Sequence, residues 1–137
     1  RGFVRSMLDR AGRTESLTIV DDQVGDPTSV GTVAQAVLEL LSGVSADALP
    51  EVVHVADAGE ASWLELAQEA FRITGGDHPL EGVTSEAFGA PARRPSYSVL
   101  DTSATEALLG RPMRPWRSVL HEVLEAEMGQ STNEAAQ

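Results

Sequence analysis

Val30, Val33, Ala34, Val37, Leu38 and Leu41 fall on one stripe of a 3.6-residue repeat without a miss. So regular a stripe predicts an amphipathic helix, with the hydroxyl of Thr28 or Ser29 as its N-terminal cap. At 137 residues and 42% hydrophobic content the chain is long enough to bury a core around such a helix and too short for two ordinary domains.

Shorter elements are read around it. Phe3, Val4, Met7, Leu8 and Ala11 share one helical face, and Gly12 follows as a stop. Leu17 to Val20 reads as a strand that feeds the polar loop 21–28. Val52 to Ala56 reads as a second strand, reached through the loop 42–50 and left by a turn at Asp57 to Gly59. Ser62-Trp63-Leu64-Glu65 is a capping box, in which the serine hydroxyl accepts from the N3 amide while the glutamate reaches back. Trp63, Leu66, Ala67, Ala70 and Phe71 give the helix that follows its apolar face, and Gly75-Gly76 ends it. Val83-Thr84 reads as a third short strand. Ser103-Ala104-Thr105-Glu106 repeats the capping-box pattern before a short helix closed by Gly110. Pro115 suits the first position of the last helix, whose face carries Trp116, Val119, Leu120, Val123 and Leu124. The expectation is one small α/β lobe over residues 1–128, with a few short strands and four to five helices, and a polar, disordered tail over 129–137.

All ten basic residues are arginine, against 21 acidic ones, for a formal net charge of -11. Broad basic patches are therefore lacking, and neither nucleic acid nor an anionic membrane is an expected partner. Any anion must be met by a few placed arginines. Cysteine is absent, and no apolar run approaches the roughly 20 residues of a membrane span. A cytoplasmic location fits these features. The chain opens at Arg1 rather than at a methionine, which predicts a piece of something longer.

Two polar loops carry the candidate chemistry. In "PARRPSYS", residues 91–98, prolines flank Arg93 and Arg94 and hydroxyls follow them. A guanidinium forks onto phosphate oxygens, and flanking prolines reduce the entropy lost on holding the loop, so the pair suits a diphosphate. The competing reading is that both arginines neutralise nearby carboxylates. The loop 21–28 offers the amide of Gln23, the close backbone approach allowed by Gly25, and a helix start at Pro27-Thr28 whose free amides favour anions. Its plainer reading is a strand-to-helix turn. Asp21-Asp22 lacks a third oxygen ligand at set spacing, so no metal is expected, and His54, His78 and His121 share no spacing that would make them catalytic. Without lysine there is no Tyr-x-x-x-Lys pair to act as a general acid. Gly75-Gly76 follows a helix rather than preceding one, which is the wrong context for a dinucleotide. No catalytic and no cofactor-binding residue is expected in this chain.

The segments "FVRSMLDRA", "LTIVDDQVGDPTSV", "EVVHVADAGEASWLELAQEAF", "PARRPSYSVLDTS" and "RPWRSVLHEVL" resemble, in order and spacing, the C-terminal half of dTDP-4-dehydrorhamnose reductases, which are extended short-chain dehydrogenases. The likeness runs from about residue 3 to 125. It implies that the whole enzyme uses NADPH or NADH to reduce the 4-keto group of dTDP-6-deoxy-L-lyxo-4-hexulose to dTDP-L-rhamnose. It also implies that the cofactor site and the Tyr/Lys pair lie in an N-terminal Rossmann domain absent here, so that this chain alone is inactive. Carried over by position, Gln23, Gly25, Pro27 and Thr28 match the family's first substrate loop, and Arg93, Arg94 and Ser98 its second. Arg94 is expected to meet the diphosphate and Arg93 to be an ion-pair partner. Gly2, where the family often has asparagine, and Ser29-Val30-Gly31, in place of bulkier residues, depart from the pattern and touch substrate detail. The partners implied are a dTDP-sugar, the missing Rossmann domain and a second copy in a homodimer. Because an extended dehydrogenase crosses back to its Rossmann domain, the face of Val30 to Leu41 should be uncovered in the isolated lobe, which should self-associate. Two other readings are a non-catalytic nucleotide-sugar-binding or regulatory subunit of the same fold family, and the lobe of a neighbouring epimerase or dehydratase.

Overall fold

The computed structural model describes residues 2–134, with side chains placed through residue 130. In chain order the elements are α1 (Phe3–Ala11), β1 (Leu17–Val20), β2 (Val24–Gly25), α2 (Val30–Gly43), a 3-10 turn (Ala46–Ala48), β3 (Ala61–Ser62), α3 (Trp63–Thr74), β4 (Leu80–Val83), α4 (Ser85–Phe88), α5 (Ser103–Leu109) and α6 (Trp116–Glu134). The expected α/β lobe of helices with a few short strands is what forms. The described residues hold six α-helices rather than four or five because Thr84, read as strand, caps the single turn of α4 by accepting from the Ala87 amide.

The core is built where β1 lies parallel to β4, with Leu17 opposite Leu80 and Val20 opposite Val83. Residues two apart on a strand share a face, so Leu17 and Ile19 both turn inward and meet Ala67 and Phe71 of α3. Phe3, Met7, Leu8 and Ala11 of α1 close over them, the face that the sequence pattern marked. Burial of each large side chain in this cluster is worth about 1.5–3 kcal/mol. A second cluster joins Ala61 and Leu66 to Trp116 of α6, with Phe3, Val4 and Leu120 packed against it.

Local chemistry sets the ends of α3. Ser62 Oγ accepts from the Glu65 amide at 3.1 Å while Glu65 Oε2 accepts from the Ser62 amide at 2.7 Å, so the predicted capping box is complete. The second predicted box does not form. Ser103 is already helical and gives its amide to Asp101 Oδ1, and Glu106 turns away to accept from the Met113 amide at 3.0 Å, where it holds the turn after α5.

Val52 to Ala56, expected as a strand, has no ladder partner among the described residues and runs on as unpaired chain. Its alternation is present, yet the two sheets β1-β4 and β2-β3 do not reach it. The α2 stripe is likewise turned away from the core: Ala36 and Leu40 are buried, while Val30 is 85% and Leu41 71% exposed. The expectation of an uncovered face on this helix agrees with that placement. Ser29, one of the two cap candidates, caps α2 by accepting from the Thr32 amide at 3.0 Å. Buried Asp57 anchors the same end, accepting from the Ser29 amide at 2.9 Å and the Thr32 hydroxyl at 2.7 Å. At the C-terminus α6 continues through Gly129 to Glu134, where composition predicts disorder; the rest of that tail, 135–137, lies outside the described residues.

Candidate functional site

The two polar loops, seventy residues apart in sequence, meet at Val24. On one side β2 pairs antiparallel with β3, Val24 opposite Ser62 and Gly25 opposite Ala61. On the other, the Val24 amide donates to the Ser96 carbonyl at 2.8 Å and the Val24 carbonyl accepts from the Ser98 amide at 2.9 Å. The arginine loop is thus a third strand-like strip beside β2. Two further ties hold it: the Leu100 amide donates to Asp26 Oδ2 at 3.0 Å, and the Tyr97 hydroxyl donates to Glu60 Oε2 at 2.7 Å. Only the protonated phenol can donate this hydrogen bond, which raises the Tyr97 pKa above the ordinary tyrosine value.

A pocket of about 300 Å³ opens at this junction, and Gln23, Gly25, Pro27, Arg94 and Ser98 all line it. Five of the seven residues singled out in the sequence are therefore brought together. Gly25 is needed for closeness, since a Cβ there would stand 3.2 Å from Ser98 Oγ. Thr28 is turned elsewhere: its hydroxyl donates to the Asp26 carbonyl at 2.9 Å, accepts from the Asp57 amide at 3.3 Å, and lies on an adjoining apolar groove. Arg93 is outside the pocket lining, and the ion-pair role expected for it is not found among the described residues. Arg94 also has no acidic partner there, whereas Arg5, Arg72, Arg111 and Arg114 are each paired with a glutamate. The reading in which the arginine doublet neutralises local acid loses its support. Asp26 also lines the pocket, but its carboxylate accepts from the Leu100 amide and no ion pair joins it to Arg94, so the guanidinium retains its fork for an incoming anion.

Other residues of the site were not singled out in advance. Trp63 counts as core by its spacing, yet it is 36% exposed, lines the pocket, and rests on the Phe3 ring with centroids 4.7 Å apart. Its indole N–H donates to Gln23 Oε1 at 3.3 Å, and Gln23 Nε2 donates to Ser85 Oγ at 2.7 Å. Ser85 in turn gives its hydroxyl and amide to Asp22, and those bonds, the hydroxyl first, hold the Asp22 pKa below the ordinary carboxylate value. No spacing rule links positions 22, 23, 63 and 85; the one signal in the sequence is a tryptophan directly after a cap, at the end of its helical face.

Among the described residues no group of three or more histidine and acidic side chains could hold a metal ion. None of the described helices is long and apolar enough to cross a membrane.

Comparison with known proteins gives the same picture at the level of families. The family model described as "RmlD substrate binding domain" matches residues 1–128. A "probable dTDP-4,6-dihydroxy-2-methyloxan-3-one 4-ketoreductase" of Streptomyces antibioticus is 38% identical, covering 89% of this chain and 41% of that protein. A dTDP-4-dehydrorhamnose reductase of Streptomyces griseus is 35% identical, covering 94% of this chain and 43% of that protein. The crystal structure of the dTDP-4-dehydrorhamnose reductase of Bacillus anthracis in complex with NADP superimposes with a TM-score of 0.82 at 30% identity, covering 93% of this chain and 43% of that one. The chain spans about two-fifths of the length of the curated relatives it matches, and it corresponds to their C-terminal part.

Proposed function

This chain belongs to the RmlD substrate binding domain family, and from that premise we propose that it is the nucleotide-sugar-binding lobe of a dTDP-4-dehydrorhamnose reductase. In this reading the whole enzyme reduces the 4-keto group of dTDP-6-deoxy-L-lyxo-4-hexulose to give dTDP-L-rhamnose, in the cytoplasm. One observation carries it: Arg94, without an acidic partner among the described residues, lines one pocket with Gln23, Gly25 and Ser98.

Each residue then has a task. Arg94 forks onto the diphosphate, where a charge-assisted bond is stronger than a neutral one. Gly25 lets the ligand and the Ser98 hydroxyl approach the backbone of β2. Gln23 offers an amide to the sugar or the base. Thr28 and Pro27 hold the turn into α2, and Arg93 adds positive potential beside the pocket without touching the ligand. NADPH or NADH, bound by the N-terminal region of the enzyme, supplies the hydride. No glycine-rich loop opens a helix here to cradle its pyrophosphate, so this chain holds no cofactor and is inactive alone.

The outward stripe of α2 and the unpaired stretch Val52 to Ala56 make up the face that meets the N-terminal region. Val30, Leu38, Leu41 and Val52 are all exposed on this chain, and the relatives carry more than half of their length outside the part it matches.

Calorimetric titration with dTDP and dTDP-rhamnose tests the proposal. Binding by the parent chain that Arg94→Ala loses supports the clamp; equal binding by both would overturn it.

A further inference from the structure

We propose that Trp63 and Ser85 are positioning residues that fix the direction of the Gln23 amide, so that the nucleotide sugar is met at this point by an N–H donor. The inference rests on the reading of the pocket given above and makes it more specific. An indole has one polar hydrogen and accepts nothing. The Gln23 atom 3.3 Å from Trp63 Nε1 must therefore be the carbonyl oxygen. The amide nitrogen then stands 2.7 Å from Ser85 Oγ, which has to accept. It is able to, because its own proton goes to Asp22 Oδ1 at 2.5 Å, and an ionised carboxylate is an acceptor only.

Donation thus runs one way, from Trp63 to Gln23 to Ser85 to Asp22, and both ends of the chain are groups that cannot reverse. Turning the amide over would set N–H against N–H at Trp63 and a carbonyl against a hydroxyl already committed to Asp22. Gln23 has two amide hydrogens, of which Ser85 takes one. The other belongs to a side chain that lines the pocket. The ligand group it meets must be an acceptor: a hydroxyl or carbonyl oxygen of the nucleotide sugar. A ligand donor finds no partner at the amide nitrogen and could be met only by the second lone pair of Oε1, the one that Trp63 leaves free.

The test uses the full chain labelled with ¹⁵N, with the Gln23 side-chain amide pair assigned by its loss in Gln23→Ala. Without ligand, Ser85→Ala should move both the Gln23 amide signals and the Trp63 indole signal; unchanged signals would overturn the relay whatever the pocket binds. With dTDP-rhamnose, one Gln23 amide proton should shift. Trp63→Phe keeps an aromatic ring on Phe3 but removes the N–H together with part of the indole, and it should weaken binding by roughly tenfold or more, one neutral hydrogen bond plus the lost ring contact. Parent-chain binding that leaves the Gln23 signals in place would overturn the inference while the pocket's function stands. Failure of the parent chain to bind dTDP or dTDP-rhamnose, with the ligand-free relay intact, would overturn the pocket's proposed ligand instead.

Discussion

The Tyr97 hydroxyl donates to Glu60 Oε2 at 2.7 Å, linking the arginine loop to the residue whose carbonyl also accepts from Trp116 Nε1 at 3.3 Å. One tie thus connects the candidate anion site to the anchor of α6. Tyr97 is the single tyrosine of the chain, so phenolate absorbance reports on it alone. Its raised pKa means that the bond contributes in full below the ordinary tyrosine value and is lost as pH rises through the folded one. A near-ultraviolet titration should show a midpoint above that of the unfolded chain, and Tyr97→Phe should lower affinity for dTDP.

Arg94→Ala should weaken dTDP binding by about tenfold to a hundredfold, the range expected for a lost charge-assisted hydrogen bond. Arg94→Lys should restore only part of it, because an ammonium cannot fork. Arg93→Ala should cost far less. Calorimetric titration of the three variants side by side decides the ranking.

Gly59 sits at φ +93 with Trp116 Cδ1 3.2 Å from where a Cβ would stand. Gly59→Ala should destabilise the fold by about 1–3 kcal/mol, as strain in a rarely populated backbone region does. Gly129, inside α6 with nothing within 4 Å of its added Cβ, is the control. Gly129→Ala should stabilise by roughly 0.5–1 kcal/mol. Thermal unfolding measures both.

On α2 the two faces should respond oppositely. Leu40 is buried, and Leu40→Ala should cost about 2–5 kcal/mol. Leu38→Glu and Leu41→Glu lie on the outward stripe and should leave stability unchanged while abolishing self-association of the isolated chain. Light scattering at high concentration provides the readout, and a parent chain that stays monomeric would count against the exposed stripe as a docking face.

Acid should loosen the fold at several separate points. Asp22, Glu39, Glu69, Asp101 and Glu122 all have pKa values held below the ordinary range by hydrogen bonds they accept, from Ser85, Arg111, Arg72, Ser103 and Arg114 respectively. Their contributions are full above the unfolded carboxylate values and vanish as pH falls through the folded ones. The thermal midpoint should therefore drop on acidification below the ordinary carboxylate range, and Asp22→Asn should flatten part of that slope.

Much of this was legible because local chemistry decided it. The capping box at Ser62 and Glu65, the face of α1 and the approach of Gly25 all depend on residues close in sequence or on backbone freedom. What failed did so where distant groups compete. Glu106 fits a cap by spacing, but the Met113 amide takes it. Val52 to Ala56 alternates as a strand should, but a ladder needs a neighbour and the described residues supply none. The α2 stripe specifies a helix by its spacing alone, while its direction depends on what covers it. Trp63 shares the apolar face of α3 yet is partly exposed, because periodicity marks a face without saying how far along the helix burial extends.

The parallel pairing of Leu17 with Leu80 encloses β2, α2, β3 and α3 in a single long excursion of the chain. Bringing its ends together is an entropic cost that grows only with the logarithm of length, about 0.6 kcal/mol for each doubling. A few residues added in the exposed connection around Ala46–Ala48 would lengthen that excursion by a small fraction and leave the β1-β4 core almost as easy to close. The stretch between α2 and the unpaired Val52 segment is therefore where relatives of different length can diverge without disturbing the pocket.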